Sequence, residues 1–219
     1  MITFETIRKC EDINVYISCA DDSLRALGYT EHSFAHVGKV SENAEYILST
    51  LGYDARTVEL ARIAGYLHDI GNLVNRVDHS QSGAVMAFRI LDHLGMPAEE
   101  IATVVTAIGN HDEGTGVPVN PVAAALIIAD KSDVRRSRVR NSDRSTFDIH
   151  DRVNYSVEES TLSISEDRSR VVLTLKIDSG ISAVMDYFRI FIGRMEMSQR
   201  AASALGLEFS LVINCQKLL

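Results

Sequence analysis

Between Phe34 and Leu51 the apolar positions recur every three or four residues. Phe34, Val37, Val40, Ala44, Ile47 and Leu51 share one helix face, and Gly52 supplies a stop. The signal returns in VELARIAGYLHDIG, residues 58–71, which predicts a second helix ending at Gly71. A third helix is predicted over roughly 80–95, with Val85, Phe88, Ile90, Leu91 and Leu94 as its stripe, before Gly95-Met96-Pro97. A fourth carries Ile101, Val104, Val105 and Ile108. A fifth is apolar from Pro121 to Ala129 and ends abruptly at Asp130. Residues 1–155 thus predict a helical domain.

Beyond residue 155 the period changes. TLSIS and RVVLTLKI, separated by the polar EDRS, predict a strand pair. Ile181, Val184, Met185, Phe188, Ile192 and Met195 predict a helix ending near Gly206, its stripe serving the core or a homodimer contact. Leu207, Phe209, Leu211 and Ile213 alternate as in a final strand. The expected fold is mainly α, with a small β-β-α-β α+β extension over 156–219. So few strands are marginal alone, so the extension is expected to pack on the helical part.

The chain has 219 residues, 46% of them hydrophobic, enough to bury a sizeable core and too many for a disordered chain. No apolar run is long enough to cross a membrane, so no membrane partner is expected. The first residues, MITFETIRKCEDINVYIS, mix acids with apolar residues, unlike a secretory signal. Cys10, Cys19 and Cys215 form no CxxC pair, which points to a reduced, cytoplasmic setting. A net charge of −8 excludes broad coating of nucleic acid. One stretch runs the other way. Lys131 to Arg152 holds seven bases (Lys131, Arg135, Arg136, Arg138, Arg140, Arg144, Arg152) against Asp133, Asp143, Asp148 and Asp151.

Three His-Asp dipeptides occur, at 68–69, 111–112 and 150–151. Only His68-Asp69 closes a strongly apolar helix, where a buried carboxylate needs a cation or strong donors. Neighbouring helix positions diverge by about 100°, so the pair could reach a metal from two sides, or Asp69 could bridge two metals. His36, His79, His111 and Asp130 also stand near predicted helix ends. Imidazole and carboxylate without thiolate suit one or two divalent ions of iron, manganese, cobalt, nickel or zinc, and argue against a cysteine-type zinc site. Two such ions would activate water and hold a phosphoryl oxygen. His32 is expected to support the site or lie at the surface, Asp92 and His93 to be solvated, and His150-Asp151 to be structural. Asp112 and Glu113 are candidate proton donors.

The order His36 … His68-Asp69 … Asp130 resembles the HD-domain metal-dependent phosphohydrolases. HVGKV (36–40), LHDIGN (67–72), DHSQSGA (78–84), AIGNHDEGTG (107–116) and LIIADKSD (126–133) carry the resemblance, which covers about residues 30–140. The fuller set is similar to HD-GYP cyclic-dinucleotide phosphodiesterases and HD-type dinucleoside tetraphosphatases. The chain departs from HD-GYP members at Asn110-His111, where they pair two histidines, and at GTGVPVNP, which only partly echoes their motif.

The resemblance implies a helical metal-binding core that cleaves a phosphate ester or anhydride of a nucleotide or other small phosphorylated metabolite. It implies one metal on His36, His68, Asp69 and Asp130, and a second on Asp69, His79 and His111. His68, Asp69 and Lys131 are the expected catalytic residues. Lys131, Arg135, Arg136 and Arg76 are expected on substrate phosphates, because the guanidinium fork suits bidentate contact. Some HD-domain proteins instead use a di-iron centre for oxygen-dependent oxidation, and a non-catalytic nucleotide sensor is a third reading of the same ligand set.

Overall fold

A computed structural model describes residues 1–219. The helical part comprises α1 (Phe4–Arg8), α2 (Glu11–Ala26), α3 (Phe34–Leu51), α4 (Ala55–Leu67), α5 (His79–His93), α6 (Ala98–Gly109), α7 (Pro121–Ser132) and α8 (Ile149–Ser156). Short 3₁₀ turns fall at Ile70–Leu73, Arg136–Arg138 and Arg144–Thr146. The extension comprises β1 (Val157–Ile164), β2 (Arg170–Ile177), α9 (Val184–Ala204), β3 (Glu208–Ile213) and β4 (Gln216–Lys217).

Local chemistry explains the helix ends. Ser33 Oγ accepts from the Ala35 amide at the start of α3, and Gly52 closes it at φ 84°, a conformation costly for other residues. Asp54 caps α4 by accepting from Arg56 and Thr57, and Asn120 caps α7 ahead of Pro121. Every residue of α7 from Val122 to Ala129 is buried, which makes it the axis of the bundle. α4 runs unusually close to α3. A Cβ on Gly65 would come within 2.9 Å of the Ser41 backbone, so glycine sets that approach.

Several boundaries and faces differ from the pattern. α4 stops at Leu67, four residues before Gly71, and α7 continues two residues past Asp130. Val85 and Phe88 of α5 are exposed, and the buried face is Ala84, Ala87 and Leu91. On α9, Met185 and Ile192 face solvent, while Tyr187, Phe191, Met195 and Ala202 form the buried stripe. α2 has a legible stripe of its own in Ile13, Ile17, Ala20 and Leu24.

The extension adds a two-residue β4 to the expected β-β-α-β order. The sheet runs β1-β2-β3-β4. β2 pairs antiparallel with β1 and parallel with β3 through the α9 crossover, and β4 returns antiparallel along β3. Val171, Leu173, Leu175 and Ile177 alternate inward on β2. They join residues of every helix from α3 to α7 in one continuous apolar cluster. Ser160 Oγ of β1 also donates to the Ser132 carbonyl of α7 at 2.8 Å. No helix is long and apolar enough to cross a membrane.

Candidate metal centre

Five helix ends meet at one point. His36 stands in the first turn of α3, His68 and Asp69 just past α4, His79 at the first position of α5, His111 just past α6, and Asp130 near the end of α7. His68 and Asp69 therefore sit at a break, where the chain leaves α4 and tightens into the 3₁₀ turn, rather than on a continuous helix. Glycine allows that turn to lie against α5. A Cβ on Gly71 would meet the His79 carbonyl at 2.0 Å and the Gly83 amide at 2.4 Å. This close approach brings His79 Nε2 to 3.5 Å from Asp69 Oδ1.

Each imidazole is oriented through Nδ1. His68 donates to the Gly65 carbonyl at 2.8 Å, His111 to the Ile108 carbonyl at 2.6 Å and His79 to the Arg76 carbonyl at 3.1 Å. His36 Nδ1 lies 2.8 Å from Asp133 Oδ2. A carbonyl can only accept, so the donating ring nitrogen is fixed and Nε2 presents a lone pair in the neutral ring. The four Nε2 atoms surround Asp69. Its Oδ2 lies 3.5 Å from His36 and 3.3 Å from His68, and its Oδ1 lies 3.5 Å from His79 and 3.9 Å from His111. Asp130 Oδ1 completes the first group, 3.4 Å from His36 and 3.7 Å from His68.

The donors converge without satisfying one another. Nε2 of His36 and of His68 are buried with no hydrogen-bond partner. His79 Nε2 and His111 Nε2 stand 3.2 Å apart with both Nδ1 atoms already donating, so lone pair faces lone pair. Buried acceptors that converge without a donor among them suit a cation, and His36, His68 and Asp130, or His68, Asp69 and His111, could hold one. The Arg76 guanidinium lies 3.2 Å from His79 Nε2, so it shares that lone pair.

Burial opposes ionisation of Asp69, but His68, His32 and His79 hold its carboxyl well below the usual range. Asp130 is likewise held down against desolvation by Lys131, with help from His36 and His68. Lys131 is pushed up by Asp130 and Glu113 despite burial, so it is a fixed positive charge. Burial lowers His111 and His79, reinforced at His111 by His68 and Lys131. His68 is raised, because Asp69 and Asp130 outweigh its desolvation. Lys131 and Arg194 overcome desolvation to lower Glu113.

The expected phosphate contacts divide. Arg135 is engaged by Asp133, Glu31 and Ser137, and Arg136 by the Tyr155 carbonyl and ring. Both line a groove with Asp133, Glu158 and Glu159. The Arg135 fork is thus occupied by internal partners, whereas Arg136 keeps its Nη2 buried without a hydrogen-bond partner. Lys131 lies at the centre, 2.7 Å from Asp130 and 3.2 Å from Glu113. Arg76 borders a different cavity of about 250 Å³ with Tyr29, His32, His150, Phe191 and Arg194. His150 and Asp151, expected to be structural, are on its wall.

Other contributors escaped the sequence reading. Asp133 orients His36, and Asn72 Nδ2 donates to Asp69 Oδ1 at 2.9 Å. Arg194 reaches from α9 to within 3.0 Å of Glu113. The strings ADKSD and HDIGN contain the first two, but nothing local links Arg194 to a centre more than sixty residues away.

The family model described as HD domain matches residues 33–135. An uncharacterised protein of Methanocaldococcus jannaschii is 24% identical over 208 residues, covering 84% of this chain and 80% of its own. A structurally solved predicted HD superfamily hydrolase from an uncultured Thermotogales bacterium is 27% identical. It covers 62% of this chain and 75% of its own, with a TM-score of 0.45.

Proposed function

We propose that the chain, whose residues 33–135 match the HD domain model, is a metal-dependent hydrolase cleaving a phosphate ester or anhydride of a nucleotide or other small phosphorylated metabolite. The observation that carries this reading is the pair of oxygens on Asp69, each facing two imidazoles. Such a carboxylate would be shared if two cations were held there. His36, His68 and Asp130 would hold the first, and His79 and His111 the second. Divalent ions so held lower the pKa of water and neutralise charge on a phosphoryl group.

The rest of the work falls to the protein. Asp133 and the three backbone carbonyls fix which imidazole nitrogen faces inward. Lys131 keeps Asp130 ionised and oriented. Asn72 holds one oxygen of Asp69. Arg76 stands between the centre and the adjoining cavity, where it can receive an anionic group. A di-iron oxygenase would use the same donors, but the cationic wall of the cavity favours a phosphorylated substrate.

The test is metal analysis of protein purified anaerobically, followed by phosphate release from a panel of nucleotides and small phosphate esters with and without oxygen. Oxygen-independent release is expected, falling at least ~100-fold in Asp69→Asn, with less bound metal. Metal-loaded protein that releases no phosphate from any compound, or that turns over only with oxygen, would sink the proposal.

A further inference from the structure

The cavity beside the centre is built from both halves of the chain. Tyr29 and His32 come from the α2–α3 connection, Arg76 from the loop before α5, and Phe191 and Arg194 from α9. Its cations are preset. The Arg76 guanidinium carbon lies 5.9 Å from the Tyr29 ring centre, and that of Arg194 lies 4.4 Å from the Phe191 ring centre. Phe191 is itself fully buried, so the ring beneath Arg194 is held by the core. Arg194 Nε lies 3.0 Å from Glu113 Oε1, which brings the guanidinium to the cavity wall. Glu113 in turn faces Lys131, which faces Asp130. An alternating chain of charges therefore runs from the centre to α9.

The remaining lining is suited to hydroxyl groups. His32 Nδ1 lies 2.7 Å from the Thr30 carbonyl, so its Nε2 is an acceptor in the neutral ring. Asp148, His150, Asp151 and Asn154 of the α8 segment add further polar groups. About 250 Å³ falls just below the ~300–1,000 Å³ of pockets that enclose drug-sized ligands. The space suits one phosphate and one compact polar body.

We propose that α9 completes the substrate pocket, with Arg194 and Arg76 together binding the phosphate of a compact, hydroxyl-rich phosphomonoester of sugar-phosphate size. This rests on the hydrolase reading for the placement of the phosphate beside the metal centre. It goes beyond that reading in favouring a compact phosphomonoester over a dinucleotide, and in making the C-terminal extension part of the site.

The test is calorimetric titration of the metal-loaded full chain with ribose 5-phosphate and with a dinucleoside tetraphosphate. The wild type is expected to bind the sugar phosphate more tightly than the dinucleotide. Arg194→Met and Arg76→Met should each weaken sugar-phosphate binding at least ~10-fold at unchanged metal content. Arg194→Lys, which keeps the charge but not the fork, should fall between, and serves if the methionine variant folds poorly. Arg189→Met, on an exposed position of the same helix, should bind like the wild type. Binding within twofold of wild type in both Arg194 variants would overturn the proposal, as would tighter binding of the dinucleotide or no binding of the sugar phosphate. Binding that follows these expectations without phosphate release would leave the pocket standing and remove hydrolysis instead.

Discussion

At the scale of single residues, the centre depends on which imidazole nitrogen points inward. Sequence marks the four histidines, but the atom each presents is set by its hydrogen-bond acceptor, and three of the four acceptors are backbone carbonyls. The fourth, Asp133, sits in LIIADKSD and reads there as one more acid in a basic run. Its carboxyl is held low against burial by His36, Arg138 and Arg135, so it is a permanent anion behind His36. Asp133→Asn keeps the shape and removes that charge. The expected result is a 10- to 100-fold loss of metal affinity, as for other groups that orient metal-binding histidines. A chelator should lower the Tm of the wild type, since bound metal stabilises the folded state by mass action, and the gap between loaded and stripped protein should narrow in the variant. Equal gaps in the two proteins would remove Asp133 from this role.

At the scale of elements, periodicity located α3, α5, α6 and α7 because each repeats an apolar face against one core. It misplaced the end of α4. Leu67 to Gly71 continues an apolar string, and only the packing of Gly71 against α5 shows that the helix must break there. Two glycines test this. Gly71→Ala forces a Cβ into backbone atoms that cannot withdraw, and should cost about 3 kcal/mol or more while separating His79 from Asp69. Gly193, inside α9, has open space around its Cα, so Gly193→Ala should stabilise by about 0.5–1 kcal/mol. Urea denaturation reads both, and a Gly71→Ala midpoint equal to wild type would contradict the close approach. The exposed Val85, Phe88, Met185 and Ile192 show the limit of the pattern. Spacing says which residues share a face, whereas burial depends on which neighbour covers that face.

At the scale of the whole molecule, helices and sheet share one apolar cluster, and α9 lays its buried stripe on the bundle. Truncation after Ser156 would expose that side of α7. The shortened chain is therefore expected to lose cooperative thermal unfolding, as followed by circular dichroism; a sharp transition near the wild-type Tm would show that 1–156 folds alone. The net charge of −8 spoke only against a broad nucleic-acid surface. The cations that matter are few and local, and one expected on phosphate, Arg135, is held by Asp133 and Glu31. By itself the sequence determined the helical class and the mixed tail, and marked six candidate donors that the fold brings together, because periodicity and motif order are local properties of a chain. Tertiary structure alone decided the inward nitrogen of each histidine, the two faces of Asp69, the fates of the arginines and the entry of Arg194 from α9. Each of these depends on which distant groups come within a few ångströms, and no spacing along the chain encodes that distance.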